Sequence, residues 1–251
     1  MNKQTFLTLL ATFALLFSFT FSCHAKGKDK AKHVVFIGLD GWGAYSLPKA
    51  DMPNVKKLME DGAYTLKKRS ALPSSSAINW ASMFMGAGPE LHGYTEWGSK
   101  TPELPSRVLN KNGIFPTVFQ LLRDARPEAE IGCLYEWEGI KYLVDTLSLS
   151  YHYHVADCNK TPKELGNMAS SYIKEKHPAL VAICYDGPDH TGHTAGHDTP
   201  EYYEKLKELD MYVGQIVQAV KDAGMLDDTI FILTSDHGGI DLSLIHISEP
   251  T

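Results

Sequence analysis

The stretch His33-Val34-Val35-Phe36-Ile37-Gly38-Leu39-Asp40 decides the fold. It is a short, nearly continuous apolar run. Such a run suits a strand buried on both faces of a parallel sheet, whereas a half-exposed strand would alternate. Two further runs, Ala179-Leu180-Val181-Ala182-Ile183-Cys184-Tyr185 and Thr229-Ile230-Phe231-Ile232-Leu233-Thr234, share the pattern, and residues 131–135 read as another strand. Helical patterns alternate with them. Residues 53–60 begin with Pro53 and stop before Gly62. Residues 77–85 and 117–123 read as helices, and 162–176 as one capped by Thr161. The longest pattern spans 201–223, with Leu206, Leu209, Val213, Ile216, Val217 and Val220 on one face and Gly224 as its stop. This alternation predicts an α/β fold around a mostly parallel central sheet. Residues 99–112 are polar, hold Pro102 and Pro105, and read as a surface loop or part of a cap.

The 251 residues have room for one large domain, or a domain plus a cap. A hydrophobic content of 43% is ordinary for a globular chain. The net charge of -6 argues against a nucleic-acid duplex as partner, but leaves single nucleotides open as substrates. Lys3, the apolar run from Phe6 to Phe21 and the small residues after it read as a signal peptide over residues 1–25. The expected location is therefore outside the cytoplasm: periplasmic, extracellular or lipid-anchored at the cell surface. Cleavage after Ala25 and lipidation of Cys23 are both open, although Thr20-Phe21-Ser22 is a poor lipobox. Residues 26–32 form a basic linker, and 33–240 the folded domain. Cys184 reads as a core residue. Cys133 and Cys158 either pair or stay free.

The three strong strands share one feature. Each ends at or near a carboxylate: Asp40, Asp186 (with Asp189 just beyond) and Asp236. Ligands of open α/β sheets bind at the carboxyl ends of the strands, so three strands deliver acids to one edge. Asp236-His237-Gly238-Gly239 pairs a carboxylate and an imidazole at a turn that could grip a divalent metal, or could be a polar turn. In the segment from Asp186 to His197 a loop after a buried strand would present Asp189 and His193 to one ion. His177, His190, His193 and His197, four of the chain's 11 histidines, lie in or near it. In Pro73-Ser74-Ser75-Ser76-Ala77-Ile78-Asn79, a hydroxyl at a helix start is either a cap or a nucleophile. On that segment alone the cap is the stronger reading. Asn79, about one helical turn after Ser76, could present its amide to the same oxygen.

Together these segments resemble the alkaline phosphatase superfamily, and most closely its type I phosphodiesterase/nucleotide pyrophosphatase branch. The resemblance runs from about Val34 to Gly239 and keeps the family's order: Gly38-Leu39-Asp40-Gly41; Met52-Pro53-Asn54-Val55 with Leu58 and Gly62; Pro73 to Asn79; Gly86-Ala87-Gly88-Pro89-Glu90-Leu91-His92-Gly93; Asp189 to His193; and Ser235-Asp236-His237-Gly238. It implies an alkaline-phosphatase-like three-layer sandwich and a two-zinc hydrolase of phosphate esters. Asp40, Asp236, His237 and Ser76 would bind one zinc, and Asp189 and His193 the other. Ser76 would be the nucleophile, where Thr is more usual, and Asn79 the phosphate-oxygen donor. His92 would serve packing, and His190 and His197 match no metal position. The substrate would be a small phosphate ester or nucleotide.

The pattern breaks at the end. The family places a further metal-binding histidine after Asp-His-Gly, between glycines. Here the chain continues Ile240-Asp241-Leu242-Ser243-Leu244-Ile245-His246-Ile247 and stops at Thr251, with His246 as the sole candidate. Residues 241–251 read as a non-native tail, and the last strands of the sheet as missing, so the activity read from the motifs is that of the intact parent. A phosphomonoesterase is the runner-up, although no arginine in the nucleophile segment is placed to clamp a dianion. A non-catalytic zinc- or nucleotide-binding remnant is the alternative from another class.

Overall fold

Five strands, β1 (His33–Leu39), β2 (Ile131–Tyr135), β3 (Tyr151–His154), β4 (Leu180–Tyr185) and β5 (Thr229–Thr234), pair in the order β3-β2-β4-β1-β5. Every pairing is parallel. This is a computed structural model, and it describes residues 31–157 and 161–239. The expectations for the signal peptide, Cys23, Cys158, the tail from 241 and His246 lie outside those residues. Cys133 and Cys184 are buried free thiols.

Seven α-helices lie between the described strands: α1 (Pro53–Asp61), α2 (Ser76–Met85), the single turn α3 (Pro89–His92), α4 (Val118–Ala125), α5 (Lys163–Lys176), α6 (Gly187–Ala195) and α7 (Pro200–Asp222). The apolar runs explain the layers. Along β4, Val181, Ile183 and Tyr185 enter one core, while Leu180, Ala182 and Cys184 enter another. The first core lies under α1, α5 and α7, with Val35, Ile37 and Leu39 of β1. The second lies under α2 and α4, built on Trp80, Phe84 and Phe119. Both faces are covered, which gives the three-layer sandwich. Among the described residues β5 is a sheet edge. Phe231 and Leu233 pack on the first core, whereas Ile230 and Ile232 are 50% and 42% exposed.

Three local expectations need correction. The segment after β4 is not a loop but the helix α6. The N-cap position of α5 is taken by Pro162 and not by Thr161, because the helix starts at Lys163. The edge strand β3 has no counterpart in the sequence reading. The cap of α1 comes from across the chain: the buried Asp210 of α7 accepts from the Asn54 and Val55 backbone N–H groups at 3.0 and 2.8 Å, and from the Asn54 amide at 2.8 Å. That contact gives the Met-Pro-Asn-Val segment its physical reason.

Candidate active site

Because β4, β1 and β5 are neighbours, their carboxyl ends lie side by side with β1 in the middle. Asp40 follows β1 and is 2% exposed; Asp236 follows β5 and is fully buried. Asp189 and His193 stand one turn apart on α6, with Asp189 Oδ2 3.3 Å from His193 Nε2. His237 Nε2 lies 3.4 Å from Asp40 Oδ1 and 3.4 Å from Asp236 Oδ2. Ser76, the first residue of α2, places its Oγ 3.1 Å from His237 Nε2 and 3.5 Å from Asp40 Oδ1. Six of the seven residues singled out from the sequence therefore meet at one edge of the sheet.

The seventh does not. Asn79 is buried, and its amide is committed to the backbone. Its Oδ1 accepts from the Ala71 N–H at 2.6 Å, and its Nδ2 donates to the Ser75 and Ala71 carbonyls at 3.0 and 3.3 Å. The amide pins the loop that leads into Ser76. Helical spacing turns its Nδ2 toward the Ala71 and Ser75 carbonyls.

Two glycines allow the crowding. Gly41 has a φ of +67°, and a Cβ there would sit 2.7 Å from Asp189; its N–H donates to Asp236 Oδ1 at 3.2 Å. A Cβ on Gly38 would sit 2.2 Å from the Trp80 ring. The space left admits the indole, whose Nε1 donates to Asp40 Oδ2 at 2.8 Å. Trp80 is 1% exposed, so its indole serves Asp40 and offers no face to a bound base. Lys68, which the sequence did not single out, donates through Nζ to the Ser235 carbonyl and, at 3.4 Å, to that of Asp236. It ties the end of β5 to the approach to Ser76. His92 is fully buried and receives the Tyr94 N–H on Nδ1, a packing role as expected.

The acids crowd one another electrostatically. Burial, and then the charges of Asp236, Asp189 and Asp186, push the Asp40 carboxyl well above the usual carboxylate range, against the Trp80 hydrogen bond. Burial also raises Asp236, opposed by His237. Asp186 is pushed up to about 6 by burial and by Asp189. Asp189 Oδ1 and Asp236 Oδ2 are buried without a hydrogen-bond partner. Buried unpaired acids are costly unless a cation neutralises them. Asp40, Asp189 and His237 bring ligand atoms within 4.8 Å of one another, a group that could hold a metal ion.

A model of the family described as type I phosphodiesterase / nucleotide pyrophosphatase matches residues 34–249. The chain belongs to that family. Among curated relatives, bis(5'-adenosyl)-triphosphatase enpp4 of Mus musculus is 26% identical over 221 residues, which cover 84% of this chain and 48% of the relative. Ectonucleotide pyrophosphatase/phosphodiesterase family member 1 of Mus musculus is 24% identical over 214 residues, 81% of this chain and 24% of the relative. The chain thus spans about half the length of the first and a quarter of the second. Among solved structures, murine ectonucleotide pyrophosphatase/phosphodiesterase 5, as an inactive variant in complex with AMP, superposes with a TM-score of 0.64 at 19% identity, over 82% of this chain and 57% of that one. That likeness supports the type I phosphodiesterase / nucleotide pyrophosphatase fold. In this member of the family, the residues present fit a metal centre: hard carboxylate oxygens and an imidazole nitrogen converge where two buried acid oxygens have no hydrogen-bond partner.

Proposed function

We propose that this site hydrolyses phosphodiester or pyrophosphate bonds of nucleotides, with Ser76 as nucleophile and two zinc ions as cofactors, in an exported protein. The observation that carries the proposal is the position of Ser76 Oγ, 3.1 Å from His237 Nε2 at the mouth of a buried cluster of acids. The names of the relatives supply the substrate class: one is a bis(5'-adenosyl)-triphosphatase, and one was solved with AMP. The N-terminal segment of residues 1–25 supports export.

His237 Nδ1 lies 2.9 Å from the Gly238 carbonyl, which accepts only if Nδ1 carries the proton. The Nε2 lone pair is then left facing Ser76. Ser76 opens α2, so phosphoryl charge beside it sits at the positive end of a helix dipole. Asp40, Asp236 and His237 would hold one ion beside Ser76, and Asp189 and His193 the other. Bound zinc would lower the hydroxyl pKa and offset charge on the phosphoryl and leaving oxygens. Ser76 Oγ gives up its proton and attacks phosphorus, the leaving alcohol or phosphate departs with the bonding pair and takes up a proton, and water later cleaves the nucleotidyl-serine ester, returning a proton to Ser76 Oγ. Gly41, Trp80 and Lys68 hold the backbone and carboxylates that aim this constellation.

The test is turnover of thymidine 5'-monophosphate p-nitrophenyl ester against p-nitrophenyl phosphate. We expect faster turnover of the diester, and a loss of about 10³-fold or more in Ser76→Ala with zinc content unchanged. Preference for the monoester would favour a phosphomonoesterase, and an unchanged rate in Ser76→Ala would rule out the nucleophile.

A further inference from the structure

Helix α6 carries Asp189 and His193, yet little in its own sequence holds it in place. It has nine residues, and only Pro188 and Gly192 are buried. A helix so short is marginal by itself, and its first-turn N–H groups need partners. Asp186, at its N-cap, makes no side-chain cap bond, and Pro188 has no N–H to offer.

The partner comes from another strand. Glu136, the residue after β2, accepts the Asp186 backbone N–H on Oε2 at 2.7 Å, with the Gly187 N–H adding to it. Glu136 is itself fixed. Its N–H donates to the Cys184 carbonyl at 3.1 Å, and its carbonyl lies 2.9 Å from His154 Nε2. Its other oxygen, Oε1, is buried with no hydrogen-bond partner. The Lys205 side chain of α7 packs against Gly187, 3.0 Å from where a Cβ would stand, and its charge also acts on Glu136. The arrangement repeats the Asp210 cap of α1: a buried acid from a distant element takes the N–H groups that open a helix.

We infer that Glu136 is a positioning residue that caps α6 from the end of β2 and so sets where Asp189 and His193 stand relative to Asp40. This rests on the reading of Asp189 and His193 as metal ligands. Glu136 touches neither ligand side chain and acts through the backbone at residues 186–187. Burial pushes its carboxyl up to about 8, so the neutral amide of glutamine is a close stand-in that keeps the acceptor.

The experiment compares the full chain with Glu136→Ala and Glu136→Gln in two measurements. The first is amide hydrogen exchange over residues 187–195 in metal-free protein, with α7 as the control for an intact fold. The second is zinc affinity by chelator competition. In Glu136→Ala we expect exchange in α6 to rise about tenfold while α7 is unchanged, and one zinc to weaken by about tenfold, the scale seen when a ligand's outer support is removed. Glu136→Gln should stay within about threefold of wild type in both. Wild-type exchange in α6 of Glu136→Ala overturns the inference, as does unaltered zinc affinity. A wild-type chain that binds no zinc overturns the metal reading instead, and the exchange rates then decide the cap alone.

Discussion

Asp40 stands at the centre of the site: Trp80 Nε1 donates to its Oδ2 at 2.8 Å, and His237 Nε2 lies 3.4 Å from its Oδ1. Asp40, Asp236, His237, Asp189, His193 and Ser76 all reach one edge. What the chain's linear order hides is which neighbour claims a polar group first. Asn79 is one turn from Ser76, but its amide is taken by Ala71 and Ser75. Trp80 looks like core or a stacking surface, and its bond to Asp40 depends on the missing side chain at Gly38, far away in sequence. Replacing Trp80 by Phe keeps the ring but leaves the buried Asp40 Oδ2 without that donor. We expect a cost of about 1–3 kcal/mol in the metal-free protein, measured by urea denaturation. A change below about 0.5 kcal/mol would mean that the indole bond contributes nothing to holding Asp40.

Among the elements, the apolar strands β1, β2, β4 and β5 and the long amphipathic α7 stand where their patterns put them. The failures have physical causes. Helix α6 has Gly187, Pro188 and Gly192 and no apolar stripe, so its composition reads as loop; its order comes from outside, through Glu136, Lys205 and the turn at Gly41. Strand β3 is a four-residue edge with alternating Tyr and His, too short for periodicity to register. Helix α1 also depends on a remote group. Asp210→Ala would strip three hydrogen bonds from its first turn. For charge-assisted bonds of this kind we expect a loss of about 2–3 kcal/mol, seen as a Tm lower by roughly 4–10 °C. Asp210→Asn should recover part of it, and a Tm within a degree of wild type for the alanine variant would contradict the cap.

For the whole molecule, sheet order makes the site: β4, β1 and β5 lie together, so three acids share one edge and repel. Asp40 and Asp236 have folded pKa values raised above those of unfolded carboxylates, mainly by burial. The folded metal-free chain therefore keeps protons that the unfolded chain releases near pH 4. Stability from these groups is full below that pH and is lost as pH rises through the folded values. Metal ligands must be deprotonated, so zinc should remove this penalty and bind more tightly at higher pH. The rise in Tm on adding zinc should thus be larger at pH 8 than at pH 5; an equal or smaller rise at pH 8 would contradict the linkage.

The most direct test of the account is the zinc content of the folded chain beside that of Asp40→Asn, by elemental analysis after removal of loose metal. We expect at least one zinc ion per wild-type chain, beside Asp40, Asp236 and His237, and a clear loss in the variant. No retained zinc, or equal zinc in both proteins, would contradict a metal centre built on the acids of the three strand ends.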